Sequence, residues 1–182
     1  MSGVAYLDNK LYVVYRLSNA IHVYSADLSD DIQVIAVDGM KYPIDIVACP
    51  HDGQLYVADS RNCPAEVVIW RVSAAVRPSQ YVNLLTAESS SVQSLSVRST
   101  TLLMTSSEAL HQYSTTDGHL LGDVKLPEYI EYLYHGVETE RGTYVVSHRG
   151  TELSELHVAV SKLINILDSM LTPVDPVHLR CS

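Results

Sequence analysis

The chain has 182 residues, of which 47% are hydrophobic and 18% are charged, so it carries enough apolar material to form a core. Its 12 Lys and Arg residues against 21 Asp and Glu residues give a net charge of −9, which argues against binding to nucleic acid or to an anionic membrane surface. No apolar run approaches the roughly 20 residues that a membrane-spanning helix needs. The three cysteines form no C-x-x-C pair and no signal-peptide pattern occurs, so we expect reduced thiols and a cytoplasmic protein.

Four similar segments recur along the chain. Their starts are separated by 44, 47 and 41 residues. A period in the low to middle forties is the length of one four-stranded blade of a β-propeller. The four segments are Leu11–Tyr15, Leu55–Asp59, Leu102–Ser106 and Thr143–Ser147.

The surroundings of each segment predict the strands of a blade. A tight turn precedes each segment, which is typical of a β-hairpin, and Asp, Asn, Gly or Pro supplies the turn in all repeats except the third. A third apolar stretch follows each segment, and the first three repeats add a fourth stretch. The sequence therefore predicts an all-β protein with four-stranded antiparallel blades. We expect the blades near residues 3–37, 44–85, 92–124 and 130–160.

The second repeat resembles an NHL repeat, the blade type of a family of six-bladed propellers. The resemblance rests on Pro43-Ile44-Asp45-Ile46, on Leu55-Tyr56-Val57-Ala58-Asp59 followed by Asn62, and on Val67-Val68-Ile69-Trp70. The other repeats keep the hairpin and depart from the Asp and Asn pattern. The resemblance implies a propeller covering roughly residues 3–160. Propellers with such repeats include RNA-binding and partner-binding domains, lyases and lactonase-like enzymes, so the fold alone does not select a function.

The chain is too short for a complete six-bladed ring. Six blades need on the order of 250 residues, and this sequence holds about three and a half blades. We therefore expect an open arc or a partial propeller, with a closed four-bladed ring as the alternative. Residues 161–182 form a C-terminal tail, in which 162–171 has the apolar spacing of a short amphipathic helix, although a short apolar run of this kind also fits a strand.

Candidate binding residues follow from propeller geometry. The loops after the second strand and before the first strand of each blade meet on one side, which we call the loop face. Asp59 and Asn62 have a second interpretation, in which they cap their own loop by side-chain to backbone hydrogen bonds. The candidate binding residues on the loop face are Arg16, Asn19, Asp59, Arg61, Asn62, Glu108, His148 and Arg149.

No motif for nucleotide binding, for a helical zinc site, for a serine hydrolase or for calcium binding is present. The sequence therefore assigns no catalytic residue, cofactor or metal ligand, while a site built from several blades stays open. The first hypothesis is a non-enzymatic interaction module that binds protein partners through its loop face or an exposed edge. The open edges of the blades are also where we expect the chain to self-associate. The alternatives are a metal-dependent lactonase or lyase and an RNA-binding NHL domain, the latter opposed by the net charge.

Overall fold

The computed structural model describes residues 2–27, 31–62, 65–74, 80–88, 92–107, 109–124, 126, 130, 132–148 and 153–156. Within these ranges the chain is all-β and contains no helix. No helix there is long and apolar enough to cross a membrane. The predicted helix at 162–171 lies outside the described residues.

The described residues form fifteen strands. The first eight are β1 (Gly3–Leu7), β2 (Lys10–Val14), β3 (Ala20–Ser25), β4 (Asp31–Ala36), β5 (Pro43–Cys49), β6 (Gln54–Asn62), β7 (Ala65–Ser73) and β8 (Tyr81–Glu88). The remaining seven are β9 (Val92–Arg98), β10 (Thr101–Ser106), β11 (Leu110–Ser114), β12 (Leu120–Val124), β13 (His135–Glu138), β14 (Tyr144–Ser147) and β15 (Leu153–Leu156).

The strands form four separate antiparallel sheets, each built from consecutive strands. Blade 1 contains β1 to β4, blade 2 contains β5 to β8, blade 3 contains β9 to β12, and blade 4 contains β13 to β15. Among the described residues, blade 4 has three strands where the others have four. The predicted four-stranded antiparallel repeat is confirmed for the first three blades.

Local sequence explains how the hairpins close. Asp8 and Asn9 connect β1 to β2 with φ angles of 49° and 59°, the left-handed conformation that a two-residue hairpin turn requires and that Asp and Asn tolerate. The hairpin between β6 and β7 is longer than the sequence predicts. Arg61 pairs with Glu66 and Asn62 pairs with Ala65, so both residues belong to a strand and the prediction that they lie in a loop is wrong.

The hydrophobic core is divided into three clusters, one between each pair of successive blades. Alternate side chains of a strand point to opposite faces of its sheet, so blades 2 and 3 contribute one face to each of two clusters. The largest fully buried side chains are Tyr12, Ile21, Ile46 and Leu55 in the first cluster, Tyr56, Ile69, Leu95, Leu102 and Met104 in the second, and Leu103, Leu110 and Tyr144 in the third.

The blades are arranged as an arc around their first strands. Strand β1 packs on β5, β5 packs on β9, and β9 packs on β13. In the described part of the chain, β1 and β13 do not pack on each other in the same way, so the sheets form no closed ring. The predicted open arc is therefore confirmed.

Candidate functional site

The loop-face candidates lie at separate places on the arc. Arg16 and Asn19 are exposed in the connection between β2 and β3 of blade 1, and His148 is half-buried directly after β14 of blade 4. Glu108 and Arg149 lie outside the described residues. The remaining candidates, Asp59, Arg61 and Asn62, lie on β6 of blade 2, so the described candidates are distributed over blades 1, 2 and 4.

Asp59 is fully buried, with 0% of its surface exposed. Its Oδ1 accepts hydrogen bonds from the backbone N–H groups of Lys41 at 3.0 Å and Tyr42 at 2.5 Å. Its Oδ2 accepts a hydrogen bond from Nε1 of Trp70 at 3.3 Å. The carboxylate therefore fastens the connection between blades 1 and 2 to the middle of blade 2. The bonds run from side chain to backbone, but their partners lie 17 and 18 residues upstream, so the prediction that Asp59 caps its own loop is wrong.

Asp45 makes a comparable link between blades 2 and 3 near the axis of the arc. Its Oδ2 accepts a hydrogen bond from the Leu95 N–H at 2.7 Å, and its Oδ1 accepts one from the Ile46 N–H at 2.9 Å. Burial raises the pKa of the Asp45 carboxyl above its usual value, and the hydrogen bonds act in the opposite direction. Gly3 of β1 approaches the same carboxylate so closely that a Cβ atom would lie 2.9 Å from Oδ1. Asp45 therefore links β5 of blade 2 to β9 of blade 3, and β1 of blade 1 packs against the same carboxylate.

Ser106, His111 and Asp123 form a hydrogen-bonded chain across three strands of blade 3. The Ser106 Oγ lies 3.4 Å from Nε2 of His111, and Nδ1 of His111 lies 2.7 Å from a carboxylate oxygen of Asp123. Ser106 is only 6% exposed, and its hydroxyl also bonds the backbone of Ala109 at 3.0 and 3.1 Å. The hydroxyl is thus part of the turn between β10 and β11. Within the described residues, no group of three or more His, Cys, Asp or Glu side chains is placed to hold a metal ion.

One sheet face has no neighbouring blade among the described residues. In blade 1, Tyr12, Val14 and Ile21 point into the cluster shared with blade 2, so the residues between them in sequence point the other way. The strand register places Val4, Val13, His22 and Val34 in one row, and Tyr6, Leu11 and Tyr24 in the next. Together with Tyr15, these side chains form what we call the free face of blade 1.

The free face is apolar and aromatic, and it is accessible along its two edge strands, whereas Val13 at its centre is 6% exposed. Val4 is 49% exposed, Tyr6 is 59% exposed and Val34 is 52% exposed. The ring of Tyr15 packs edge-on against His22 with centroids 5.0 Å apart, and its hydroxyl lies 3.3 Å from that of Tyr24. None of these eight side chains is an acid, a lysine or an arginine, and the strand register continues the second row from Tyr24 to Asp31 of β4. This is a contiguous surface of the type that packs against another sheet.

The sequence contains a signal for this face, which is the continuous apolar run of β2. Strand β2 contains the consecutive apolar residues Leu11-Tyr12-Val13-Val14, where a sheet with one solvated face shows alternation of apolar and polar residues. A strand that is apolar on both sides is typical of a sheet covered on both faces. The described structure covers one of them.

No protein-family model and no curated protein shows significant similarity to the sequence. Solved structures do resemble the fold. A structure of a nidogen/laminin complex matches with a TM-score of 0.71 and 15% identity, over 88% of this chain and 60% of that one. A protein of unknown function from Bacteroides caccae matches with a TM-score of 0.60 and 14% identity, over 90% of this chain and 59% of that one. The glutaminyl cyclase of Myxococcus xanthus matches with a TM-score of 0.59 and 12% identity, over 85% and 64%.

These similarities concern the fold alone, because all three identities are low. With the four-stranded antiparallel sheets, they support a β-propeller-like fold, while the NHL type of repeat is not confirmed. The chain spans about three fifths of the length of these structures.

Proposed function

We propose that this chain is a non-enzymatic protein-interaction module, and that it associates with a second copy of itself through the free face of blade 1. The observation that carries the proposal is the exposure of Val4, Tyr6 and Val34, each about half accessible, within a sheet face whose one acidic position in the register is Asp31 at the end of a row. Removing such a surface from water is favourable by roughly 25 cal/mol per Å² of apolar area.

The opposite face of blade 1 already makes a sheet-on-sheet contact of this kind. There, Leu7, Tyr12 and Ile21 pack against Ile46 and Leu55 of blade 2. The free face alternates with these residues along the same strands and has the same Val, Leu and Tyr composition. A second sheet laid on it therefore repeats a contact that the fold already makes.

The size of the free face suits a modest dimer. Four strands about 4.8 Å apart, each about five residues long at about 3.4 Å per residue, span roughly 19 by 17 Å. This footprint of roughly 320 Å² is less than half of the roughly 800 Å² that each partner of a standard interface buries. We therefore expect a weak dimer, in which the loops at the border of the face add to the buried area.

A pairing of the same face with itself also avoids burying charge. The chain has a net charge of −9, so contacts between most other surfaces of two copies bring acidic groups together. A two-fold pairing of the free faces places uncharged side chains at the centre of the interface, as isologous dimers do. The acidic residues on the other surfaces of the two copies then remain apart from one another.

Sedimentation equilibrium of two matched variants tests the proposal. Val34 and Leu120 are aliphatic residues on the outer strands of blades 1 and 3, exposed by 52% and 51%. We expect the wild type to dimerise at tens of micromolar, Val34→Glu to weaken the dimer at least about tenfold because a charge is buried, and Leu120→Glu to behave as the wild type. A wild type that stays monomeric throughout, or an equal effect of the two variants, overturns the proposal.

A further inference from the structure

A cleft of about 580 Å³ lies between blades 2 and 3, at the ends of the sheets where the β5–β6 and β9–β10 hairpins turn. These hairpins are at the opposite ends of the strands from the loop face. Blade 2 contributes His51, Asp52, Arg71, Gln80 and Tyr81 to the cleft, and blade 3 contributes hydroxyl-bearing residues of two turns. The Asp52 carboxylate has partners within blade 2, since Oδ1 accepts a hydrogen bond from the Gln54 N–H at 3.0 Å and Oδ2 accepts one from the Tyr56 hydroxyl at 3.2 Å. The cleft does not share residues with the free face of blade 1.

Hydrogen bonds across the blade boundary hold the cleft in shape. Nη1 of Arg71 donates to the backbone carbonyl oxygens of Thr115 and Thr116 in blade 3, both at 2.9 Å. The turn that follows is packed tightly on blade 2, since a Cβ atom at Gly118 would lie 2.3 Å from the carbonyl oxygen of Leu84. The position of the guanidinium is therefore fixed before any ligand arrives.

The arginine in this cleft has hydrogen-bonding capacity that the described residues do not use. A guanidinium has five N–H donors, and the two carbonyl oxygens account for the two on Nη1. Within the described part of the chain, Nε and Nη2 of Arg71 have no acceptor, and no carboxylate forms a salt bridge with it, whereas Arg98 pairs with Glu138 at 3.2 Å. Nε and Nη2 form one edge of the guanidinium, which is the fork that binds the two oxygens of a carboxylate.

We propose that the cleft between blades 2 and 3 binds an acidic peptide segment, with one carboxylate of the peptide held by the Nε and Nη2 edge of Arg71. The hydroxyl groups of Ser99 and Thr100 and the amide of Gln80 line the same cleft and supply further donors for peptide carbonyl groups. The ring of Tyr81 contributes apolar area. The peptide carboxylate comes from a side chain or from a C-terminus, and the two sources are distinguished by the choice of peptide.

The expected affinity is low and depends on salt. Arg71 is half-buried, and a single ion pair at a partly solvated site contributes little beyond about one order of magnitude in affinity. We therefore expect a dissociation constant of about 1 mM or somewhat below for a short peptide at low ionic strength. Added salt at about 0.5 M should weaken the binding several-fold.

Three short peptides test the proposal by nitrogen-15 NMR titration of the full chain. The first is an acetylated and amidated Gly/Ser hexapeptide with one central Glu, the second replaces Glu by Gln, and the third carries Gln with a free C-terminal carboxylate. We expect the first peptide to shift the Arg71 Nε–H signal and the amides of Thr115 and Thr116, and the second to bind several-fold to about tenfold more weakly. Strong binding by the third peptide instead of the first assigns the site to a C-terminus. Equal binding of all three overturns the proposal.

Two variants with the same change of charge serve as a matched pair. Gln80→Glu places a competing carboxylate in the cleft and leaves the Arg71 clamp intact, so it should weaken the Glu peptide at least about tenfold. Asn83→Asp adds the same charge three residues further along, on β8 and outside the cleft, and should leave the affinity within about twofold. Wild-type affinity in Gln80→Glu, or equal losses in both variants, contradicts the assignment of the site to this cleft.

Discussion

Replacing Asp59 tests the link between blades 1 and 2 most sharply. Asp59→Ala removes both carboxylate oxygens and leaves three N–H donors, on Lys41, Tyr42 and Trp70, without the acceptor they have in the native protein. A buried donor without an acceptor costs about 1–3 kcal/mol. Water reaches the backbone groups more easily than the indole, because the Trp70 bond is the fully buried one. We expect a loss of about 3–5 kcal/mol in the free energy of unfolding.

Asp59→Asn distinguishes the roles of the two carboxylate oxygens, because it keeps one acceptor and replaces the other by an NH₂ donor. The amide oxygen continues to accept from Lys41 and Tyr42, while the NH₂ group faces the N–H of Trp70, donor against donor. We expect a loss of about 1–3 kcal/mol, which is smaller than that of the alanine variant. In Trp70→Phe the opposing donor is absent, so the asparagine change should cost about 1 kcal/mol less there than in the wild type.

Urea unfolding followed by far-UV circular dichroism measures all of these variants, including those without the single tryptophan. The expected losses are large compared with the 5–15 kcal/mol of a typical domain. A loss below about 1 kcal/mol for Asp59→Ala, or identical losses for the Ala and Asn variants, would refute the hydrogen-bonding pattern. It would then follow that Asp59 does not hold the connection between the blades.

Three further changes probe other parts of the fold. Trp70 is 8% exposed within the core between blades 1 and 2, so Trp70→Ala should cost about 3–5 kcal/mol in urea unfolding, and a cost below about 1 kcal/mol would mean that the ring is on the surface. Because burial raises the pKa of Asp45, the folded state holds the carboxyl proton more tightly than the unfolded state does. The stability that this protonation contributes is greatest below the usual pKa of 3.8 and falls as pH rises through the raised pKa. Asp45→Asn should remove this part of the pH dependence, and an unchanged profile would contradict it. Gly118→Ala should lose at least about 2 kcal/mol, because the residue has φ of +74° and no room for a Cβ atom, whereas Gly122→Ala, with nothing within 4 Å, should lose less than about 1 kcal/mol.

The repeat and its strands were accessible from the sequence because they rest on local patterns. The Asp8-Asn9 turn and the apolar stretch around Leu11 indicate a hairpin without any knowledge of distant residues. The extension of β6 through Arg61 and Asn62 was missed, since polar residues near the end of a strand look like a loop. Only pairing with β7 shows that they continue the sheet.

The roles of individual side chains were less accessible, because their partners are distant in sequence. Asp59 was recognised as a motif residue, but its acceptor role toward Lys41 and Tyr42 depends on how the chain crosses between blades. Arg71 reads as one polar residue within a strand, and its cleft is completed by turns about 28 and 45 residues further along the chain. No spacing rule within one blade connects such positions.

Photo-cross-linking of the purified chain tests the central claim most directly. A benzophenone amino acid is placed at Tyr6, which is 59% exposed on the free face of blade 1, or at Leu120, which is 51% exposed on blade 3. After irradiation at a concentration where the chain associates, the cross-linked peptides are identified by mass spectrometry. We predict that Tyr6 gives a covalent dimer in which both peptides come from residues 3–36, and that Leu120 gives little dimer. Cross-links from Tyr6 that lead to other blades of the second copy, or no dimer at either position, would contradict the proposed interface.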